Sequence, residues 1–107
     1  MTWTVIPLDA RVESEIEAQP IDIRAKLARI SALIETKGLE RVHEPYVKHL
    51  QGKLWEMRMI GRDGIARAIY VAAKDRRVVI LRVFAKKVQK TPRREIEIAL
   101  ARAEELE

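Results

Sequence analysis

Residues 53–90 read KLWEMRMIGRDGIARAIYVAAKDRRVVILRVFAKKVQK, and the fold turns on how this stretch divides. Residues 54–60 alternate, with Trp55, Met57 and Met59 on one side and Glu56 and Arg58 on the other, the pattern of a half-buried strand. Gly61-Arg62-Asp63-Gly64 supplies a turn, and residues 65–73 return as a second strand that carries Arg67 and Tyr70 on opposite faces. Lys74-Asp75-Arg76 makes another turn. Residues 78–84 are then apolar except for Arg82, as expected of a strand covered on both faces. The prediction is a three-strand antiparallel meander. Its glycine turn is too short for a phosphate-binding P-loop and lacks the closing Gly-Lys-Ser/Thr.

The same stretch is where the positive charge lies. Residues 41–94 hold 15 Lys and Arg against 4 Asp and Glu, whereas residues 1–40 hold 5 against 7 and residues 95–107 hold 1 against 5. The overall +5 therefore conceals a middle of net +11 between two acidic flanks. A charge distribution this uneven points to a polyanionic partner.

Working outward, residues 3–8 contain Trp3, Val5 and Ile6 ahead of Pro7 and suit a short strand with its proline at an end or edge. Asp9 is placed to N-cap a helix through about Ala18, with Val12 and Ile16 one turn apart and Glu13, Glu15 and Glu17 facing outward or flanking. Pro20 opens a second helix, in which Ile23, Leu27, Ile30 and Ile34 share a face and Gly38 gives the stop. The two form a helix hairpin whose apolar stripe must cover the sheet. Residues 39–52 show no sustained period and read as a connecting segment with room for one helical turn. Beyond the meander, residues 85–90 are a basic exit, Thr91 is the expected N-cap, Pro92 opens the last helix, and Ile96, Ala99, Leu100 and Ala103 form its stripe. The fold class is α+β: an N-terminal strand and helix hairpin packed on an antiparallel sheet, with a C-terminal helix.

With 107 residues and no repeat or linker, one domain spanning residues 1–107 is expected. The lack of cysteine excludes disulfides, thiolate chemistry and cysteine-based zinc sites. His43 and His49 lie six residues apart with no partner ligands at metal spacing, so neither a metal nor any other cofactor is expected. No run approaches the roughly 20 apolar residues of a membrane span and the N-terminus lacks a signal pattern, so a soluble cytoplasmic protein is expected.

Several blocks in order, Lys53-Leu54-Trp55-Glu56-Met57-Arg58, Arg67-Ala68-Ile69-Tyr70, Val83-Phe84-Ala85-Lys86-Lys87, Lys90-Thr91-Pro92 and Glu95-Ile96-Glu97-Ile98-Ala99, resemble the RelE/ParE superfamily of bacterial toxins, nearest to its phage-derived HigB-like branch. The resemblance implies a RelE-like fold over nearly the whole chain. It also implies the toxin of a type II toxin–antitoxin system, acting as a ribosome-dependent mRNA endonuclease and held inactive by an antitoxin, expected to be a small helix-turn-helix protein. Metal-independent cleavage of this kind uses the 2′-hydroxyl as nucleophile, and the protein must stabilise a dianionic phosphorane while moving one proton on and one off. On the resemblance, Arg67 and Lys87 are the first candidates for that work, followed by Arg58, with Glu56 and His49 as candidate proton carriers and Lys53, Arg82, Lys86 and Lys90 as RNA contacts. The chain departs from the RelE subgroup in having Leu54 and Glu56 where that subgroup has lysines, and in lacking a tyrosine after the third strand. Two other readings stand beside this one. A ParE-like inhibitor of DNA gyrase shares the fold. A non-catalytic nucleic-acid-binding module would want stacking aromatics on one face, but Tyr46, Trp55, Tyr70 and Phe84 are scattered.

Overall fold

A computed structural model describes residues 2–87 and 90–106. The elements run β1 (Thr4–Pro7), α1 (Ala10–Glu17), α2 (Ile21–Lys37), a 3-10 turn (Leu39–Arg41), β2 (Val47–Gln51), β3 (Leu54–Ile60), β4 (Ile65–Ala73), β5 (Arg77–Lys86) and α3 (Arg93–Ala103). They make an α+β fold on one five-stranded sheet of order β1-β5-β4-β3-β2. The meander of β3, β4 and β5 is antiparallel as expected, and β1 adds parallel to β5 with Val5 opposite Val78.

Both sheet faces are covered. Ile23, Leu27, Ile30 and Ile34 of α2 form the predicted stripe, and they pack with Met57, Met59, Ala66, Ala68, Tyr70 and Val83 on one face. Ile96 and Ala99 of α3 cover the other, against Leu54, Ile69, Val71, Leu81 and Phe84. Each large side chain buried this way contributes about 1.5–3 kcal/mol relative to exposure, so the two helix layers anchor the sheet between them. Asp9 caps α1 as its sequence predicts, its Oδ1 accepting from the Arg11 backbone N–H at 3.0 Å.

Three features differ from the expectations. The segment 39–52 holds a strand as well as a helical turn: β2 pairs with β3, Lys48 opposite Glu56 and His49 opposite Trp55. Its sequence VKHLQ has almost no apolar alternation because it is an edge strand, paired among the described residues with β3 alone. Thr91 is not a cap. Pro92 holds the N-cap position of α3 without a side-chain hydrogen bond, and the Thr91 hydroxyl is directed elsewhere. Glu15 turns inward rather than outward, toward β5. Of the predicted basic exit, Val88 and Gln89 fall outside the described residues.

A bulge in β5 has the largest consequence for the charges. Ile69 faces Arg82 while Tyr70 faces Ile80, so Leu81 is an extra residue. One inserted residue reverses the side-chain alternation beyond it. Phe84 therefore faces Arg67, and Lys86 faces Ile65, on the same face as Glu56 and Arg58. Without the bulge Lys86 would point into the α2 side of the sheet.

Candidate active site

Four strands deliver one charged patch. Lys48 on β2 lies opposite Glu56 on β3, and Arg58 on β3 lies directly opposite Arg67 on β4. Lys86 joins them from the end of β5. Like charges facing each other across a ladder are unfavourable, and here four cations share one carboxylate. Among the described residues the only buried charged side chains are Glu56 at 4%, Arg67 at 4% and Lys86 at 8% exposure, all three in this patch.

The carboxylate is held from two sides. Thr91 donates its hydroxyl to Glu56 Oε1 at 2.6 Å, and Glu56 Oε2 lies 3.4 Å from Arg67 Nε. Arg67 Nη1 donates to the Ala66 carbonyl at 3.2 Å, while its Nε, although buried, completes no hydrogen bond among the described residues. Burial pulls the Arg67 pKa down, Glu56 opposes that, and Arg58 adds to it. Burial also pulls the Lys86 ammonium below the ordinary lysine value; Arg67 pushes the same way, Glu56 resists, and Arg58 and Lys48 push further down. Desolvated, mutually repelling cations favour a bound anion, whose opposite charge would offset both costs.

Arg58, Arg67, Glu56 and Lys86 are thus brought together. Lys87 follows β5 directly and is exposed, and Lys90, also exposed, precedes Thr91 at the margin of the patch. The other candidates lie elsewhere. His49 faces the opposite side of the sheet because it is one residue beyond Lys48 on a two-residue repeat; its ring meets Trp55 edge-on at 5.0 Å between centroids, and its Nε2 is 2.9 Å from the Gly52 carbonyl. Lys53 is exposed beside it, and both line an aromatic cleft of about 820 Å³ with Trp3, Trp55 and Tyr70. Arg82 is engaged in ion pairs with Glu95 at 2.6 Å and Glu15 at 2.7 Å. It has no free charge to offer a phosphate.

Sequence reading passed over two members of the patch. Lys48 was hidden because β2 has no recognisable period, and Thr91 because a Thr-Pro pair before a helix is a strong cap signal. The signal for Lys48 was the two-residue step from Lys48 to Leu50 into the Gly52 turn. Nothing local marks Thr91. Among the described residues no group of three or more His, Asp or Glu side chains is arranged to hold a metal ion, and no helix is long and apolar enough to cross a membrane.

A five-stranded sheet with a helix hairpin on one face and a C-terminal helix beside a cation patch defines a RelE-like fold. The fold matches the crystal structure of an archaeal RelE–RelB complex from Pyrococcus horikoshii OT3, with a TM-score of 0.60 at 24% identity, covering 83% of this chain and 100% of that one. The model of the phage-derived Gp49-like family matches residues 14–104. The chain belongs to that family. No curated protein matches its sequence.

Proposed function

We propose that the protein is the toxin of a type II toxin–antitoxin system and a ribosome-dependent mRNA endonuclease that works without a metal. The observation that carries this reading is the union of Arg58, Arg67, Lys86 and Lys48 around one buried carboxylate, an anion site built from four adjacent strands. In the proposed reaction the two arginines hold the non-bridging oxygens of the scissile phosphate. The 2′-oxygen of the preceding ribose bonds to phosphorus and its proton passes to water. Charge that accumulates on the phosphorane is met by guanidinium donors already in place, and such preorganisation is the largest contribution a protein makes to this chemistry. The bond to the 5′-oxygen then breaks, leaving a 2′,3′-cyclic phosphate and a 5′-hydroxyl. Lys86 is the proton donor to that leaving oxygen: its lowered pKa makes its ammonium a better acid than a free lysine. Glu56, engaged on both oxygens, orients Arg67.

The partners that follow are a translated message on the ribosome, which places the protein in the cytoplasm, and an antitoxin that covers the positive face. The similarity to a toxin-fold chain solved as a RelE–RelB complex supports the second partner. The test is cleavage of message in a reconstituted translation reaction. Arg67→Ala should lower the cleavage rate per folded molecule by about 10²-fold or more, the loss typical of removing one transition-state donor, while antitoxin binding by the folded fraction remains. Gyrase-linked DNA breaks alongside intact message would overturn the nuclease reading in favour of the ParE-like one.

A further inference from the structure

This inference rests on the cleavage reading and concerns what orients Arg67. Arg67 is 4% exposed, yet among the described residues its Nε completes no hydrogen bond, and its Nη1 donates to the Ala66 carbonyl. Glu56 Oε2, at 3.4 Å, is the nearest carboxylate oxygen. A glutamate has three rotatable side-chain bonds, so the direction in which Oε2 points depends on what holds Oε1. That holder is the Thr91 hydroxyl at 2.6 Å, a short charge-assisted bond across 35 residues of sequence. The hydroxyl is free for this because Pro92, and not Thr91, occupies the cap of α3.

Thr91 is itself fixed from behind. The helix that follows it is pinned to β5 and α1: Glu95 takes Arg82 Nε at 2.6 Å, and Arg102 Nη1 meets both Glu15 Oε2 and the Leu81 carbonyl at 2.8 Å. We propose that Thr91 is a positioning residue for RNA cleavage, whose hydroxyl locks Glu56 so that Glu56 holds the Arg67 guanidinium in the geometry that meets the phosphate. Thr91 touches no reacting atom in this arrangement. Its effect reaches the substrate through two side chains, in the way that outer partners orient the ligands of a metal centre.

The experiment compares Thr91→Val, which keeps the shape and removes the hydroxyl, with Thr91→Ser, which restores it, in the full chain. Two quantities are read: the single-turnover cleavage rate on programmed ribosomes with its half-saturating concentration, and the Arg67 Nε–Hε signal in ¹H–¹⁵N spectra. Thr91→Val should slow cleavage by about 10-fold, the low end of the 10–100-fold losses seen when an orienting partner is removed, at unchanged half-saturation, and should move or broaden the Arg67 signal. Thr91→Ser should restore both. A wild-type rate and signal in Thr91→Val would overturn the proposal, as would equal defects in both variants accompanied by equal losses of melting temperature, which would reduce Thr91 to packing. If the unmodified chain leaves message intact, the cleavage reading fails, and the Arg67 signal decides the positioning link alone: moved by Thr91→Val and restored by Thr91→Ser if it holds, unmoved if it does not.

Discussion

Two clusters of charge lie against the same strand and are built on opposite terms. Where α1, β5 and α3 meet, Arg82 and Arg102 are matched by Glu15 and Glu95 at 2.6–2.8 Å, and Glu15 Oε1 also accepts the Val83 backbone N–H at 3.0 Å. Four residues further along β5, Lys86 belongs to a patch in which four cations share Glu56. The first cluster is satisfied internally and has nothing left for a ligand. The second sets four cations against one carboxylate and is under-neutralised by the protein. Counting charge along the sequence cannot separate them, since Arg82 and Lys86 belong to the same basic stretch; what separates them is which carboxylates the fold returns to each.

The sharpest way to break this comparison is to remove the carboxylate at the centre of the satisfied cluster. Glu15→Ala leaves two arginines with one partner, and breaking a buried pair costs 3–5 kcal/mol. The side chains here retain 12–20% exposure, so about 2–4 kcal/mol is expected in thermal or denaturant unfolding. Cleavage per folded molecule should change little, except as α3 loosens behind Thr91. An unfolding midpoint equal to that of the parent chain would show that the cluster contributes no stability and that the contrast is one of appearance.

The reverse experiment removes a cation from the under-neutralised patch. In the folded chain Lys86 is harder to protonate than the ordinary value of 10.5, whereas the unfolded chain has that ordinary value. Between the two pKa values the unfolded state binds more protons, so stability rises with pH through that window and the charged form is unfavourable below it. Lys86→Met should therefore stabilise the fold at neutral pH, by about 0.5–2 kcal/mol as is common when a strained functional group is relieved, and flatten the rise toward pH 10.5. On the proposed mechanism it should also slow cleavage strongly. Stabilisation without loss of cleavage would remove Lys86 from the chemistry and keep the electrostatic contrast.

What the sequence disclosed follows from how far each signal reaches. The meander and the α2 stripe were legible because alternation and helical spacing are local, and Asp9 was legible as a cap for the same reason. Arg58, Arg67 and Glu56 were placed together correctly because they ride on two adjacent strands joined by a short turn. Lys86 arrived on their face only through the bulge at Leu81, which leaves no mark in a run of apolar residues. The assignments of His49 and Arg82 relied on proximity in sequence. His49 is turned away by the parity of an unrecognised edge strand, and Arg82 is neutralised by glutamates 67 and 13 residues distant, pairings that only the packed helices create.

The smallest and most diagnostic expected difference is in salt dependence. Binding of a single-stranded RNA releases counterions for each phosphate a protein cation neutralises, and the slope of log K against log salt changes by about 0.7 per contact. Lys48 is exposed at the edge of the patch, and no ion pair holds it among the described residues, so Lys48→Gln should flatten that slope by about 0.7. Arg82 carries the same formal charge on a neighbouring part of the sheet, but its charge is already answered by Glu15 and Glu95. Arg82→Gln should weaken folding and leave the slope where it was, once binding is corrected for the folded fraction. Equal slopes for the two variants would mean that RNA responds to the total charge of the basic stretch and not to its unpaired members, and the distinction between the two clusters would then hold for stability alone.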